Sequence, residues 1–415
     1  MECDVFIAGA GMAGQTLAIA LAQAGLSVVA ADLSDLDAQL APDFDGRASA
    51  IAFASFRMLR TLGVAEHLRG AAQPIERIVV SDGRAPDGLR PGGPSLLRLD
   101  FDRREIDPRP DGEALGYMVE NRHIRSALAA CARAAAGLDL RPKTGLAAIE
   151  GESVRLSDGA RVKPALMVGA DGRASLLRSL LGVRTIGWPY AQTAVVATVT
   201  LGRPHGGVAH EYFLPAGPFA ILPLTHDRAN LVWTERHAGA RALLSLGETD
   251  FHRELTRRFG DFLGDVRVVG PRFGYPLSLQ IAERMIAPRA ALVGDAAHAI
   301  HPIAGQGLNM GLRDVAALAE VVVDAARLGL DPGSETTLER YARWRRFDNM
   351  TLCLATDGFN RLFSNDWGPL RLVRDLGLAA VDRLAPARRF FMREAGGGTG
   401  DLPRLLRGEA LVLAA

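Results

Sequence analysis

Gly294-Asp-Ala-Ala-His298 and, two residues on, His301-Pro-Ile-Ala-Gly-Gln-Gly-Leu-Asn309 bring a carboxylate, two imidazoles and a glycine-rich loop into one short stretch. Ala290 to Val293 predicts a buried strand that Gly294 and Asp295 end. Leu312, Val315, Ala316, Ala319, Val322 and Val323, at three-and-four spacing, predict a helix starting near Leu308. The free backbone N–H groups of its first turn point back into the loop, where Gly305 and Gly307 let another molecule come close. The chemistry on offer is anion binding at a helix mouth, with the Asp295 carboxylate beside it.

Two other strand-to-helix crossings carry the same grammar. Asp4 to Ala8 predicts a strand, Gly9-Ala-Gly11-Met-Ala13-Gly14 a turn, Thr16 to Ala24 a helix, and Leu26 to Ala31 a second strand closed by Asp32. That is the context a dinucleotide fingerprint requires: Gly9 for the tight turn, Gly11 for approach of a pyrophosphate, Gly14 for close packing, Asp32 for a ribose. Arg47 follows, placed either to neutralise a phosphate or to cap Asp43 and Asp45. Farther on, a strand breaks at Gly169 and restarts as a helix through Asp171-Gly172-Arg-Ala-Ser175-Leu-Leu-Arg178, readable as a ligand loop or as a capped Asp-Gly turn. Three glycine loops but one fingerprint imply one extended dinucleotide, and FAD is more economical than NAD plus a second nucleotide.

The elements that position these loops fill most of the 415 residues. Strands near residues 77–81 and 96–101, joined by a Gly/Pro-rich connection from Gly83 to Pro94, interrupt the alternating pattern. Tyr117 to Asn121 leads into a helix from Arg122 to Ala136 with Asn121 as a plausible cap, and strands follow near Leu138, Leu146 and Ser153. Between Thr193 and Glu235 short apolar segments separated by turns predict an antiparallel sheet, with a helix after it from Thr249 to Phe259. Beyond Pro332 the chain reads as helical, most clearly from Leu338 to Met350. The fold class is therefore α/β (α+β). A discontinuous Rossmann-like FAD-binding domain (1–75, 118–182 and 284–330) carries an inserted substrate domain (76–117 and 183–283) with the antiparallel sheet, and C-terminal helices occupy 331–415. A formal net charge of +1 offers no field to recruit nucleic acid. Cys3, Cys131 and Cys353 show no metal or disulfide spacing, which suits a reducing, cytoplasmic setting. The start Met1-Glu-Cys-Asp has no basic n-region, and no run reaches the roughly 18 apolar residues of a membrane span.

The triple Gly9-x-Gly11-x-x-Gly14, Asp171-Gly172-x-x-Ser175-x-x-Arg178 and Gly294-Asp295-Ala-Ala-His298 resembles the class A flavoprotein aromatic hydroxylases, which share the para-hydroxybenzoate hydroxylase fold. His301-Pro-x-Ala-Gly-Gln-Gly-Leu-Asn-Met-Gly-Leu-Arg-Asp314, the tail Thr356-Asp-Gly-Phe-Asn-Arg-Leu-Phe363 and Arg374-x-x-Gly-Leu378 are similar to one branch, the ubiquinone-biosynthesis hydroxylases. The resemblance implies non-covalent FAD held by Gly9, Gly11, Ala13, Gly14 and Asp32 at the adenosine half, by Arg47, Arg122, Asp171 and Asp295 along the pyrophosphate and ribityl chain, and by Pro302, Gly305, Gly307, Leu308 and Asn309 around the isoalloxazine. It implies NAD(P)H as reductant, O2 as oxidant through a flavin C4a hydroperoxide, and a polyprenylated phenol as substrate, with no metal. Pro302 would border the reacting ring, and His301 is a candidate for proton traffic; His298 reads either that way or as a packed loop residue. The segment Arg361 to Arg407 has nine arginines against five acids, interleaved with Leu362, Phe363, Leu370, Leu372, Val373, Phe390 and Phe391. Those helices could pack on the FAD domain, lie peripherally on the inner membrane face, or contact a biosynthetic complex, and self-association is a further use of the same signal. Two rival readings are a hydroxylase of a soluble aromatic or secondary metabolite and a non-catalytic FAD-bound subunit.

Overall fold

A computed structural model describes residues 1–41, 45–83, 98–109, 112–364 and 381–412. Asp43, most of the Gly83–Pro94 connection, Leu370, Leu372, Val373 and the Arg374-x-x-Gly-Leu378 motif lie outside the described residues.

The first sheet is built on strands that are apolar on both faces. Val5 to Ala8 and Val28 to Ala31 are buried throughout, as strands covered on two sides must be. Glu2–Ala8 pairs in parallel with Val28–Asp32 and with Arg161–Gly169; Leu138–Pro142 extends the sheet on one side and Ala290–Leu292 on the other. Three strands, Glu2–Ala8, Arg161–Gly169 and Ala290–Leu292, thus lie side by side, and the three glycine loops leave from the same end of this sheet. The helix Gln306–Arg327 packs against Met12–Gln23 and against Glu335–Phe363, through Leu312, Val315, Ala316, Ala319, Val322 and Val323, all buried.

The second sheet runs in the order His298–Ala299, Val266–Ala282, Thr185–Leu201, Arg228–Arg236, Gly217–Leu224, Val208–Leu214, Arg77–Asp82, Arg98–Asp102. It is mixed where an antiparallel sheet was expected: Val208–Leu214 pairs in parallel with Arg77–Asp82. These two strands are not joined as a hairpin, so no tight turn imposes antiparallel pairing at that seam. One face buries Trp233 and Phe219 under the helix Glu248–Phe259, which contributes Phe251 and Phe259, and under His237–Ser245, the latter unforeseen from sequence. Asn121 is no cap either. The helix Asn121–Ala134 begins on it, and its side chain instead accepts from Ser49 Oγ at 2.7 Å and donates to Asp45 at 3.2 Å. The C-terminal helix Glu335–Phe363 is longer than the Leu338–Met350 segment, and Ala385–Ala395 and Arg404–Arg407 follow. No helix among the described residues is long and apolar enough to cross a membrane.

Candidate active site

A cavity of about 860 Å³ opens between the two sheets, bounded by all three glycine loops and by the free face of the second sheet. In the first loop the glycines divide their work. Gly9, at φ 96°, would put a Cβ 2.5 Å from the Ala170 carbonyl, and a Cβ on Gly14 would collide with the Gly9 carbonyl. Both are small because backbone packs on backbone. Gly11 has open space where its Cβ would be and lines the cavity, as does Ala13. Asp32 ends its strand behind this turn, taking the N–H of Ala10 at 2.7 Å and of Ser34 at 2.8 Å. It is therefore the brace of the turn and stands off the cavity wall.

In the second loop, Asp171 caps the short helix Leu176–Leu180 through Oδ2, which accepts from Leu176 and Leu177. Its Oδ1 is buried with no partner, while neighbouring Gly172 and Arg173 reach the cavity. Ser175 is the N-cap, accepting from the Arg178 N–H at 3.0 Å. Arg178 is tied to the Ala296 carbonyl at 2.8 Å, so the second loop is bound to the third.

The third loop forms the floor. The helix starts at Gln306, two residues before the sequence expectation, with Gly305 at φ 62° as a left-handed N-cap. No side chain caps it, and Gly305, Gly307, Leu308 and Asn309 all face the cavity, so the first-turn amides of a 22-residue helix open onto it. Asn309 fixes this mouth to the strand Ala48–Ala52, donating to Ala50 at 2.7 Å and accepting from Ala52 at 2.8 Å. Asp295, half exposed, stands at the rim 3.6 Å from Arg173, and Pro302 lines the wall.

Arg47 pairs with Asp45, one of its two expected uses, while remaining at the cavity wall. Nε and Nη2 each donate to Asp45 at 2.9 Å, and the guanidinium lies 4.7 Å over the Tyr275 ring, yet Arg47 lines the cavity and its side chain keeps 49% exposure. Burial raises the Asp45 carboxyl, but Arg47 and Arg125 outweigh it and hold the group far below its usual range. Arg122 does not reach the cavity; it donates to Glu120 at 3.2 Å.

Neither histidine lines the cavity. His298 is buried with Nε2 2.5 Å from Asp314, which fits the packed-loop alternative. His301 is fully buried beside Tyr190, at 5.3 Å between ring centres, with both nitrogens unpartnered; burial pushes its pKa down to about 4. Tyr275, Asn230 and Thr234 also line the cavity, though no local motif in the sequence marked them, and Asp314 had no role assigned from sequence.

The family described as "FAD binding domain" matches residues 2–347. The chain is 49% identical to ubiquinone hydroxylase UbiL of Rhodospirillum rubrum, covering 98% of this chain and 93% of that one. It is 34% identical to 3-demethoxyubiquinol 3-hydroxylase of Escherichia coli, over 95% and 98% of the two chains. Among solved structures, p-nitrophenol 4-monooxygenase PnpA of Pseudomonas putida superposes with a TM-score of 0.77 at 18% identity, over 96% of this chain and all of that one, a likeness of fold.

Proposed function

The chain belongs to the FAD binding domain family, alongside the ubiquinone-biosynthesis hydroxylases, and from that premise we propose that it is a FAD-dependent monooxygenase that hydroxylates the ring of a polyprenylated phenol in ubiquinone biosynthesis, using NAD(P)H and O2. The observation that carries this reading is the single cavity that joins a dinucleotide turn, an uncapped helix mouth and an apolar sheet face. The residues fit FAD: Gly11 leaves room for close approach at the cavity wall, and the uncapped helix mouth suits the anionic edge of a reduced flavin. When bound, FAD supplies hydride acceptance from NAD(P)H and activation of O2 for transfer of one oxygen atom to an electron-rich ring.

The protein's part is placement and exclusion of water. Gly11 and Ala13 would face the pyrophosphate, Asp295 and Arg47 the ribityl and phosphate region, and Gly305 to Asn309 the ring edge. Asp32 would contact the adenine ribose from behind the turn. Ala194, Val196, Ala220, Leu222 and Val232 make the opposite wall, apolar and largely small, leaving space for a substituted ring and keeping water from it. Pro302 would border that ring. In this reading 1–75, 118–182 and 284–330 form the FAD-binding domain, 76–117 and 183–283 the substrate domain, and 331–415 the C-terminal helices. Purified protein should contain FAD and oxidise NAD(P)H faster with a short-chain prenylated phenol, forming a hydroxylated product. Stimulation by small benzoates with none by prenylated phenols would overturn the substrate assignment.

A prenylated substrate resides in a membrane, and helix Glu335–Phe363 carries a fitting surface. Phe347 (78% exposed), Met350 (47%) and Leu354 (64%) form a stripe at three-and-four spacing. We read it as a peripheral lipid contact, worth roughly 1.5 kcal/mol or more per buried side chain. The F347D/L354D variant should sediment with anionic phospholipid vesicles at least about tenfold less than wild type, with FAD content unchanged. Equal sedimentation of both proteins would remove this contact from the proposal.

A further inference from the structure

Strand Arg228–Arg236 carries two buried polar side chains on the face that looks into the cavity. Alternate residues of a strand share a face, and Asn230, Val232 and Thr234 line the cavity while Leu231 and Trp233 enter the core behind the sheet. Asn230 and Thr234 are each 1% exposed, and Asn230 Oδ1 and Thr234 Oγ have no hydrogen-bond partner. For Asn230 the amide orientation is settled by chemistry: Nδ2 donates to the Gly46 carbonyl at 2.9 Å, and a carbonyl only accepts, so Oδ1 is the free atom. A buried polar atom without a partner is costly and uncommon. Two of them on one face of one strand, in residues that line one largely apolar cavity, indicate that a ligand completes them once it settles against this face.

The two are not equivalent. Four residues of strand separate them by about 13 Å, more than the width of one ring. Asn230 lies at the Gly46–Arg47 end, where the loop that precedes strand Ala48–Ala52 passes. Thr234 lies at the other end. A Cβ on Gly217 would strike its methyl, Gly217 neighbours Phe213 and Leu214 on the adjacent strand, and Phe213 packs against Ile303, the residue after Pro302. The Thr234 hydroxyl therefore stands at the end of the cavity where Pro302 borders it, and Ala194 is its neighbour on the next strand.

Resting on the phenol-hydroxylase reading above, we propose that Thr234 is a specificity-determining residue, its hydroxyl hydrogen-bonding an oxygen substituent on the aromatic ring of the substrate. An apolar wall accepts any flat ring in several orientations. One hydroxyl at the Pro302 end selects the orientation in which a ring oxygen meets it, and so which ring carbon is presented to the flavin.

The test uses the FAD-loaded full chain and two substitutions. Thr234→Val keeps the shape and removes the hydroxyl; Thr234→Ser keeps the hydroxyl. The readouts are binding of a short-chain prenylated phenol, followed by the change in flavin absorbance, KM against kcat, the site of hydroxylation, and the thermal midpoint. Thr234→Val should weaken binding and raise KM about tenfold, with more than one hydroxylated product and an unchanged or higher midpoint. Thr234→Ser should stay within about twofold of wild type. Wild-type binding and product in Thr234→Val overturn the proposal while leaving the hydroxylase reading in place, as does a lowered midpoint with normal binding, which would make the hydroxyl structural. A wild-type protein whose flavin spectrum and NAD(P)H oxidation respond to no phenol overturns both.

Discussion

Asp314→Ala is expected to destabilise the folded protein by about 3 to 5 kcal/mol, the range for leaving a buried charge without its partner. The carboxylate is fully buried and serves four donors. It accepts from the Gly294 N–H at 3.1 Å and His298 Nε2 at 2.5 Å through one oxygen, and from Arg345 Nε at 2.9 Å and Asn349 Nδ2 at 3.1 Å through the other. Arg345 is itself 3% exposed, so removing Asp314 leaves a guanidinium in the interior with only Asp348 and Asn349 to meet it. The damage reaches the site directly, because Gly294 precedes Asp295 and the same helix begins at the floor of the cavity. A thermal melt with flavin release followed in parallel should therefore show both transitions shifted together. A variant that melts like wild type would mean that the network is relaxed in solution.

The same group sets an acid limit. Burial raises the Asp314 carboxyl, but the charges of His298 and Arg345 prevail and bring its pKa down to about 2 from 3.8. A folded pKa below the unfolded one gives stability that is complete above about pH 4 and is lost as pH falls toward 2. Asp314→Asn, with no proton to bind there, should show a flatter acid limb in a melt-against-pH series.

Asp314 also marks where the sequence stops being legible. Its motif could be read, because glycines and a carboxylate at fixed spacing between a strand and a helix carry a local meaning. Its partner could not, since Arg345 lies 31 residues away on another helix in a chain whose basic residues are nearly all arginine. Long-range pairing leaves no periodic trace. The three glycine crossings and most strand and helix positions were legible for the opposite reason: each is set by neighbours in sequence. Asn230 and Thr234 failed differently. Polar residues alternating with apolar ones along a strand predict a solvent-facing edge, and periodicity does not distinguish a face turned to water from one turned to a ligand cavity. Val208–Leu214 and Arg77–Asp82 were expected in one sheet, but the parallel sense of their pairing was hidden, because segments more than a hundred residues apart carry no turn that fixes their relative direction.

The glycine turn permits a sharper separation of folding from cofactor binding. Gly14→Ala should cost about 1 to 3 kcal/mol or more, because the added methyl meets the Gly9 carbonyl, which is backbone and cannot rotate away. Gly9→Ala adds the strain of a side chain at φ 96° and a 2.5 Å approach to the Ala170 carbonyl. Gly11→Ala meets nothing in the protein, and its φ of −69° suits any residue. The apo form of this variant should melt with wild type. Its FAD affinity should nevertheless fall by about tenfold to a hundredfold, since the methyl occupies the space through which a pyrophosphate approaches the backbone. The informative measurement is thus a pair, the apo thermal midpoint and the FAD dissociation constant, for Gly11→Ala and Gly14→Ala side by side. If Gly11→Ala binds FAD as tightly as wild type, the cofactor does not lie against this turn, and the placement of the adenosine half must be redrawn. If it also lowers the apo midpoint, Gly11 is a packing glycine like its neighbours, and the division of labour within the fingerprint fails.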